Sequence, residues 1–303
     1  DAPLARIGPW ELTERIGEGT FSRVFRARPA DLSGELSATA AVASAFAAES
    51  ACVPGADNCR GAYALKHLTE RWCKDALALG LFEREAAVSR RVANPHVISV
   101  LAADLRGSQP YVVTPWLPGA SLDRWIARGR AFDLPEALWI ARQVATALGA
   151  LNDAGWMHGD VKPANIFLAP DGHVTLIDLG FACSLAAPVP QRVLGTWEYL
   201  APEWMMTDRR PDERSDLYSL GIVLYELLAR KHPLADHAEL DWRRRHLVGT
   251  VPPLERLAPH VPPAVVTLVR SMLAKDPLRR PASARRLAEQ LARLEIATFT
   301  ERA

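Results

Sequence analysis

His158-Gly159-Asp160-Val161-Lys162-Pro163-Ala164-Asn165, followed after one turn by Ile177-Asp178-Leu179-Gly180, is the stretch that decides how this chain is read. An aspartate, a lysine and an asparagine share one short non-helical loop, and a second aspartate follows the next turn. Carboxylate and amide oxygens are hard ligands suited to magnesium, which also takes phosphate oxygens and keeps waters. The remaining aspartate can accept a hydrogen bond from an attacking hydroxyl, and the lysine can neutralise charge on a phosphoryl group in transit. The plain alternative is a polar loop with a turn aspartate.

Working outward, Ile166–Ile177 reads as strand, turn and strand around Asp171-Gly172. The chain beyond about Ser121 is otherwise mostly helical, most clearly over Leu134–Ala154 and Asp216–Arg230. Upstream, Trp10–Ile16, Arg23–Arg28 and Gly61–Leu68 alternate as strands, with Gly17 and Gly19 marking a tight turn between the first two. Ala76–Val92 has helical spacing and stops at Asn94-Pro95; Val97–Leu105 and Gln109–Thr114 follow as strands around Gly107-Ser108. Strands first and helices after predict an α+β arrangement in two lobes.

The glycines of Gly17-Glu18-Gly19-Thr20-Phe21-Ser22-Arg23-Val24 would let backbone N–H groups approach a polyphosphate, though an ordinary turn explains them equally well. Lys66, at the end of Ala64-Leu65-Lys66, reads alone as a solvent-facing strand lysine, and Glu85 as a surface glutamate. Pro29–Arg60 breaks the rhythm: it is alanine-rich, carries Cys52 and Cys59, and is longer than a strand connection needs. Alanine content predicts a helix over Ala38–Glu49, and the ends, Asp1–Gly8 and Ile296–Ala303, read as frayed tails.

Of 303 residues, 49% are hydrophobic and 23% charged, which suits a soluble globular chain and excludes a disordered or fibrous one. A net charge of +1 gives no long-range pull toward nucleic acid or an anionic membrane, so phosphate chemistry must come from a local site. Four cysteines are too few for a disulfide scaffold, and a reduced cytoplasmic setting is expected. The apolar stretches Ala38–Ala48 and Leu217–Ala229 fall short of the roughly 20 residues of a membrane span. The chain opens on Asp1 rather than methionine, as expected of a domain taken from a longer protein, with a leader or anchor outside it left open.

Taken together, the glycine stretch, Lys66, Glu85, the Asp160 loop, Asp178, Gly195-Thr196-Trp197-Glu198-Tyr199-Leu200-Ala201-Pro202-Glu203, Ser215-Asp216-Leu217-Tyr218-Ser219-Leu220-Gly221 and Asp276-Pro277-Leu278-Arg279-Arg280-Pro281 resemble, in order and spacing, the eukaryotic-like protein kinase family, in its bacterial serine/threonine branch. The resemblance runs from about Gly8 to Leu294. It implies a two-lobed fold: a tail over residues 1–8, a β-rich N-lobe over 9–115 with one key helix on a five-stranded sheet and the inserted segment 29–60, a helical C-lobe over 116–295, and a tail over 296–303. It also implies ATP and magnesium in the cleft, a protein substrate, autophosphorylation as a further outcome, and no nucleic-acid or membrane contact by this domain.

By the same resemblance, Gly17 and Gly19 cover the phosphates, and Lys66 holds them while pairing with Glu85. Asp160 orients or deprotonates the acceptor hydroxyl, Lys162 contacts the γ-phosphate, and Asn165 and Asp178 bind magnesium. Adenine lies between Val24 and Ala64 on one side and Phe167 on the other, with Thr114 as gatekeeper, Pro115 offering its carbonyl and Leu117 its N–H. Glu203 and Arg280 form a buried ion pair, Asp216 braces the catalytic loop, and His158 packs as a buried structural residue. Lys162 and Thr196 point to serine or threonine as acceptor.

The sequence departs from the family at several points. Gly159 stands where most regulated members carry the arginine that receives an activation-loop phosphate, and Phe181–Gly195 holds one hydroxyl, Ser184. Activity independent of such phosphorylation is therefore expected. His158-Gly159-Asp160 is also found in aminoglycoside and choline phosphotransferases, so a small-molecule kinase is one alternative; Lys162, the Gly195–Glu203 segment and Arg280 weigh against it. A nucleotide-binding pseudokinase scaffold is another, against which every residue the chemistry needs is present. Ser22 replaces the third glycine. Ser89 falls where a leucine usually joins an apolar stack with Leu179 and His158, so Ser89→Leu is expected to raise activity. The insertion reads as a tolerated excursion rather than a docking element, its cysteines and Cys183 as ordinary thiols, and Trp242–Arg245 as a solvated helix face.

Overall fold

The computed structural model describes residues 4–30, 62–187, 195–207 and 209–300. The expected helix over Ala38–Glu49, Cys52, Cys59 and nearly all of the insertion lie outside the described residues. The chain divides into two compact units, Asp1–Arg91 with Ile98–Pro118, and Val92–Val97 with Gly119–Ala303.

The first unit is built on six antiparallel strands, β1 (Ala5–Ile7), β2 (Trp10–Glu18), β3 (Ser22–Pro29), β4 (Tyr63–Leu68), β5 (Ala102–Asp104) and β6 (Tyr111–Pro115), in the order β1-β2-β3-β4-β6-β5. The expected sheet had five. Ala5–Ile7, expected to fray, is the extra edge strand: Gly8, at φ 55°, and Pro9 turn the chain so that Ile7 pairs with Trp10, and Ile7 is buried. Three residues are too few to show alternation in sequence, and a left-handed φ favours glycine at the turn. Of the expected strand Val97–Leu105, only Ala102–Asp104 joins this sheet.

Side chains alternate across the sheet with a period of two, and directly paired residues share a face. Ala27, Tyr63, Leu65 and Val113 turn to one face, where they pack with Ile7, Trp10, Leu12 and Tyr111. Val112 and Leu68 pack on Ala78 and Phe82 of helix α1 (Ala76–Ser89). Lys66 is paired with Val24 on one side and Val112 on the other, so it shares the face that meets α1. Asp75 caps α1 by accepting from the Ala78 N–H at 2.9 Å. The helix stops at Ser89, three residues short of the expected end.

The second unit is mostly helical. Its helices are α2 (Leu122–Ala127), α3 (Leu134–Asp153), α4 (Glu213–Ala229), α5 (Trp242–Val248), α6 (Leu254–Leu257), α7 (Pro263–Met272) and α8 (Ala284–Thr300). Short strands β7 (Ala120–Ser121), β9 (Ile166–Leu168) and β10 (Val174–Leu176) form one small sheet, and β8 (Trp156–Met157) with β11 (Cys183–Ser184) another. Helix α4 is buried along nearly its whole length, which explains its weakly amphipathic sequence. Ile296–Thr300, expected as part of a frayed tail, continues α8, which packs along α3 and is tied to it by Arg142 Nε and Glu295 Oε1 at 2.8 Å. No described helix is long and apolar enough to cross a membrane.

Candidate active site

The residues singled out in the sequence fall into two groups, one in each unit. In the first, Lys66 Nζ donates to Glu85 Oε2 at 3.0 Å, and Glu85, on α1, is buried. The ammonium also stands 5.5 Å from the Phe82 ring centroid. A buried carboxylate needs such a partner, since isolated burial of its charge is costly. The register places Gly17 opposite Val24, Val24 opposite Lys66, Ala64 opposite Thr114, and Tyr63 opposite Pro115. Val24, Ala64, Lys66 and Thr114 therefore lie on one face. At the hairpin tip, Gly19 N–H donates to Ser22 O at 2.8 Å, and Leu117 is half-buried just past β6.

In the second unit the Asp160 carboxylate takes donors on both oxygens. Oδ1 accepts the Thr196 N–H at 2.9 Å, and Oδ2 accepts Asn165 Nδ2 at 2.9 Å and Lys162 Nζ at 2.7 Å. Lys162 Nζ also reaches Thr196 Oγ1 at 2.5 Å. Asn165 Nδ2 donates a second time, to Asp160 O at 2.8 Å, which fixes the orientation of its amide. The Asn165 carbonyl accepts the Ile177 N–H at 2.9 Å, which brings Asp178 alongside the Asn165 loop. Asp178 itself has φ 63° and accepts weakly from the Gly180 N–H at 3.4 Å. A left-handed aspartate is uncommon and strained, and such strain gathers at functional sites. Phe167 lies on β9, opposite Thr175 on one side and Ser121 on the other.

Behind this loop, Asp216 at the start of α4 accepts the N–H groups of His158 at 2.6 Å and Gly159 at 2.9 Å. Complete burial raises the Asp216 pKa, and the two N–H donors and His158 oppose that shift. His158 is fully buried; its Nε2 donates to Ile177 O at 3.1 Å, leaving Nδ1 to accept the Asp160 N–H at 3.2 Å. Arg280 and Glu203 form the expected ion pair, through two bonds of 2.6 and 2.7 Å.

Gly159 has φ +78°, and a Cβ there would lie 2.7 Å from Phe181 O. Neither an arginine nor any other side chain fits without displacing that backbone. Downstream, Arg210 Nη2 donates to Leu185 O at 3.0 Å and Ala187 O at 2.5 Å, so a guanidinium braces the first part of this segment through backbone carbonyls. Arg210 and the pair His232 and His246 were not singled out in the sequence, and Ser215, though part of a quoted segment, had no role there; its hydroxyl donates to Glu203 Oε1 at 2.6 Å. Only Ser215, beside Asp216, carried a signal.

Ser89 was expected to weaken an apolar stack. Its hydroxyl is engaged twice: it donates to Ile98 O at 3.4 Å and accepts the Val100 N–H at 2.5 Å. Cys73 and Cys183 carry thiols that lean on backbone carbonyls, Thr69 O and Phe181 O, each at 3.4 Å. Arg243 and Arg244 on α5 are exposed, while Arg245 stacks over Trp242 at 4.3 Å.

Compared with known proteins, residues 48–292 match a family model described as "Protein kinase domain". That span begins within the insertion, so the Gly17–Val24 hairpin lies outside it. Among similar proteins are the serine/threonine-protein kinase PknH of Mycobacterium bovis, 32% identical over 74% of this chain and 38% of its own length, and PknL of Mycobacterium tuberculosis, 32% identical over 73% and 56%. PknA of Mycobacterium tuberculosis is 34% identical over 72% of this chain and 51% of its own. The chain thus spans between about a third and just over a half of the length of these relatives.

Proposed function

The chain belongs to the protein kinase domain family, and on that premise we propose that it is an ATP-dependent serine/threonine protein kinase. The observation that carries this reading is the Asp160 carboxylate. Among the described residues Oδ1 takes one N–H, from Thr196, although a carboxylate oxygen accepts two. A serine or threonine hydroxyl bonded at the second position would be oriented for attack. Its oxygen bonds to the γ-phosphorus as the bond to the β–γ bridging oxygen breaks, and its proton passes to Asp160. Lys162 uses two of its three N–H donors on Asp160 and Thr196; the third would serve phosphoryl charge.

Asn165 and Asp178 fit a magnesium ion by their chemistry, an amide oxygen and a carboxylate, both hard donors, and the bond from the Ile177 N–H to the Asn165 backbone carbonyl ties their two segments together. Magnesium held there would supply charge neutralisation on the phosphates. Lys66, already paired with Glu85, would hold the phosphates, with Gly17 and Gly19 against them. Val24, Ala64, Thr114, Pro115, Leu117 and Phe167 keep their nucleotide-holding roles within the proposal. The formed Lys66–Glu85 pair supports catalysis over a scaffold role.

Activity without activation-loop phosphorylation belongs to the same proposal. Gly159 leaves no arginine to receive a phosphate, and Arg210 already supplies a cationic brace to Leu185 and Ala187. The acceptors would be cytoplasmic proteins, and the chain itself through autophosphorylation. The test is transfer of labelled γ-phosphate from ATP with magnesium to a generic basic protein, with Lys66→Met and Asp160→Asn in parallel. Label on serine or threonine is expected, lost in both variants and formed at an undiminished rate by enzyme that was exhaustively dephosphorylated before the assay. ATP binding without label would overturn the reading in favour of a scaffold or a small-molecule acceptor.

A further inference from the structure

The backbone carbonyl of Glu198 accepts two imidazole N–H groups. His232 Nε2 lies 2.9 Å from it and His246 Nε2 3.0 Å. A carbonyl can only accept, so the proton of each ring is on Nε2 and each Nδ1 is an acceptor. Each Nδ1 has its donor: Leu234 N–H at 3.1 Å for His232, and Tyr218 OH at 3.0 Å for His246. Lys275 Nζ, 3.4 Å from the Tyr218 oxygen, completes the chain by donating to the phenol. Trp242 closes the cluster, with its ring centroid 5.0 Å from that of His232 and 6.2 Å from that of His246. Burial holds the pKa of His232 down to about 4 and that of His246 to about 3, so both rings are neutral near pH 7.

Glu198 lies two residues after Thr196, the residue whose amide meets Asp160. Next along, Tyr199 O accepts Ser219 Oγ at 2.7 Å, and Tyr199 OH donates to Glu226 Oε2 at 2.9 Å. Segment 196–199 is thus held at Thr196, Glu198 and Tyr199, while the Trp197 side chain between them is 43% exposed. A lysine or arginine could also reach a carbonyl, but it would bury an uncompensated charge. A neutral imidazole donates one N–H from a rigid ring and satisfies its other nitrogen locally.

We propose that His232 and His246 are positioning residues for the polypeptide acceptor: they fix the Glu198 carbonyl and through it the Thr196 amide at Asp160. This rests on the reading that the chain phosphorylates protein hydroxyls. The substrate-binding segment is then held from within the helical unit, with no phosphate required.

The test compares His232→Leu, which fills space without a donor, with His232→Gln, whose amide N–H can stand where imidazole Nε2–H stands. Both are measured on the full chain with a serine peptide and ATP, alongside thermal unfolding. His232→Leu is expected to raise KM for the peptide about tenfold, the effect of one hydrogen bond, while KM for ATP moves less than twofold. His232→Gln should recover most of the loss. An unchanged peptide KM in His232→Leu, equal rises in both KM values, or no recovery by glutamine in a chain that unfolds at the wild-type temperature would each overturn the clamp. Wild-type protein that labels no peptide would overturn the kinase reading and the clamp with it, so the two failures are distinguishable. His246→Leu against His246→Gln, read by the same KM comparison and with the same expected and overturning outcomes, gives an independent second arm.

Discussion

Arg280 and Glu203 meet through two parallel hydrogen bonds with both side chains shut off from solvent, at 0% and 1% exposure. Their other valences are used as well. Arg280 Nε donates to Ala274 O at 2.9 Å and Nη1 to Arg214 O at 3.0 Å, while Glu203 Oε1 takes the Ser215 hydroxyl. A planar fork suits this geometry, and a lysine would satisfy only part of it.

Breaking one side of that pair leaves a buried charge alone. Arg280→Met is expected to cost about 3–5 kcal/mol, and the double variant Arg280→Met, Glu203→Leu less than the single one. Denaturant unfolding of the three proteins measures this; a double variant weaker than Arg280→Met would reject the argument.

Asp160→Asn replaces an acceptor oxygen with an NH2 that would face the donors of Thr196 or of Asn165 and Lys162. Loss of the base and of these bonds should lower peptide phosphorylation on the order of 10²–10⁴-fold. Steady-state rates at saturating ATP check this, and a decrease of less than tenfold would remove Asp160 from the role of base.

Ser89→Leu removes the acceptor of the part-buried Val100 N–H. A stability loss of about 1–3 kcal/mol is expected, with no gain in activity. Thermal unfolding together with the basal phosphorylation rate decides it; faster phosphorylation would restore the apolar-stack reading of this position.

Gly159→Ala combines a left-handed φ with a Cβ at 2.7 Å from Phe181 O. The backbone cost alone is about 1–2 kcal/mol, and the contact adds to it. Gly159→Arg should be at least as damaging and should not create phosphate-dependent activation. Unfolding midpoints and rates before and after phosphatase treatment give the comparison.

His232 and His246 set a pH response. Their folded-state pKa values lie below the ordinary histidine value near 6.5, so the unfolded chain binds protons first as pH falls. Their stabilising contribution is complete above about pH 6.5 and is lost toward pH 4 and pH 3, at about 1.4 kcal/mol per pH unit for each ring. The groups facing them are each other, Lys275 and Arg245, whose positive charges oppose protonation. Urea unfolding between pH 7 and 4.5 should show a shallower slope in His232→Gln than in wild type.

The sequence by itself determined most of the longer elements and the motif residues from which the function is proposed. Alternation along Gly61–Leu68 and the long helical period of Leu134–Asp153 are local properties of the chain, and so is the spacing of Asp160, Lys162 and Asn165. The Glu203–Arg280 pair was legible through the family resemblance, because its partners sit in the segments that carry it. Tertiary structure alone decided the rest. Ala5–Ile7 is a strand only because β2 offers it a ladder, and Ser89 is a hydrogen-bond hub only because residues 98–100 pass beside it. The Glu198 carbonyl meets two histidines that lie 34 and 48 residues further along the chain. A hydrogen bond between distant residues leaves no period and no composition in the sequence; its partners are known only once packing has brought them within 3 Å.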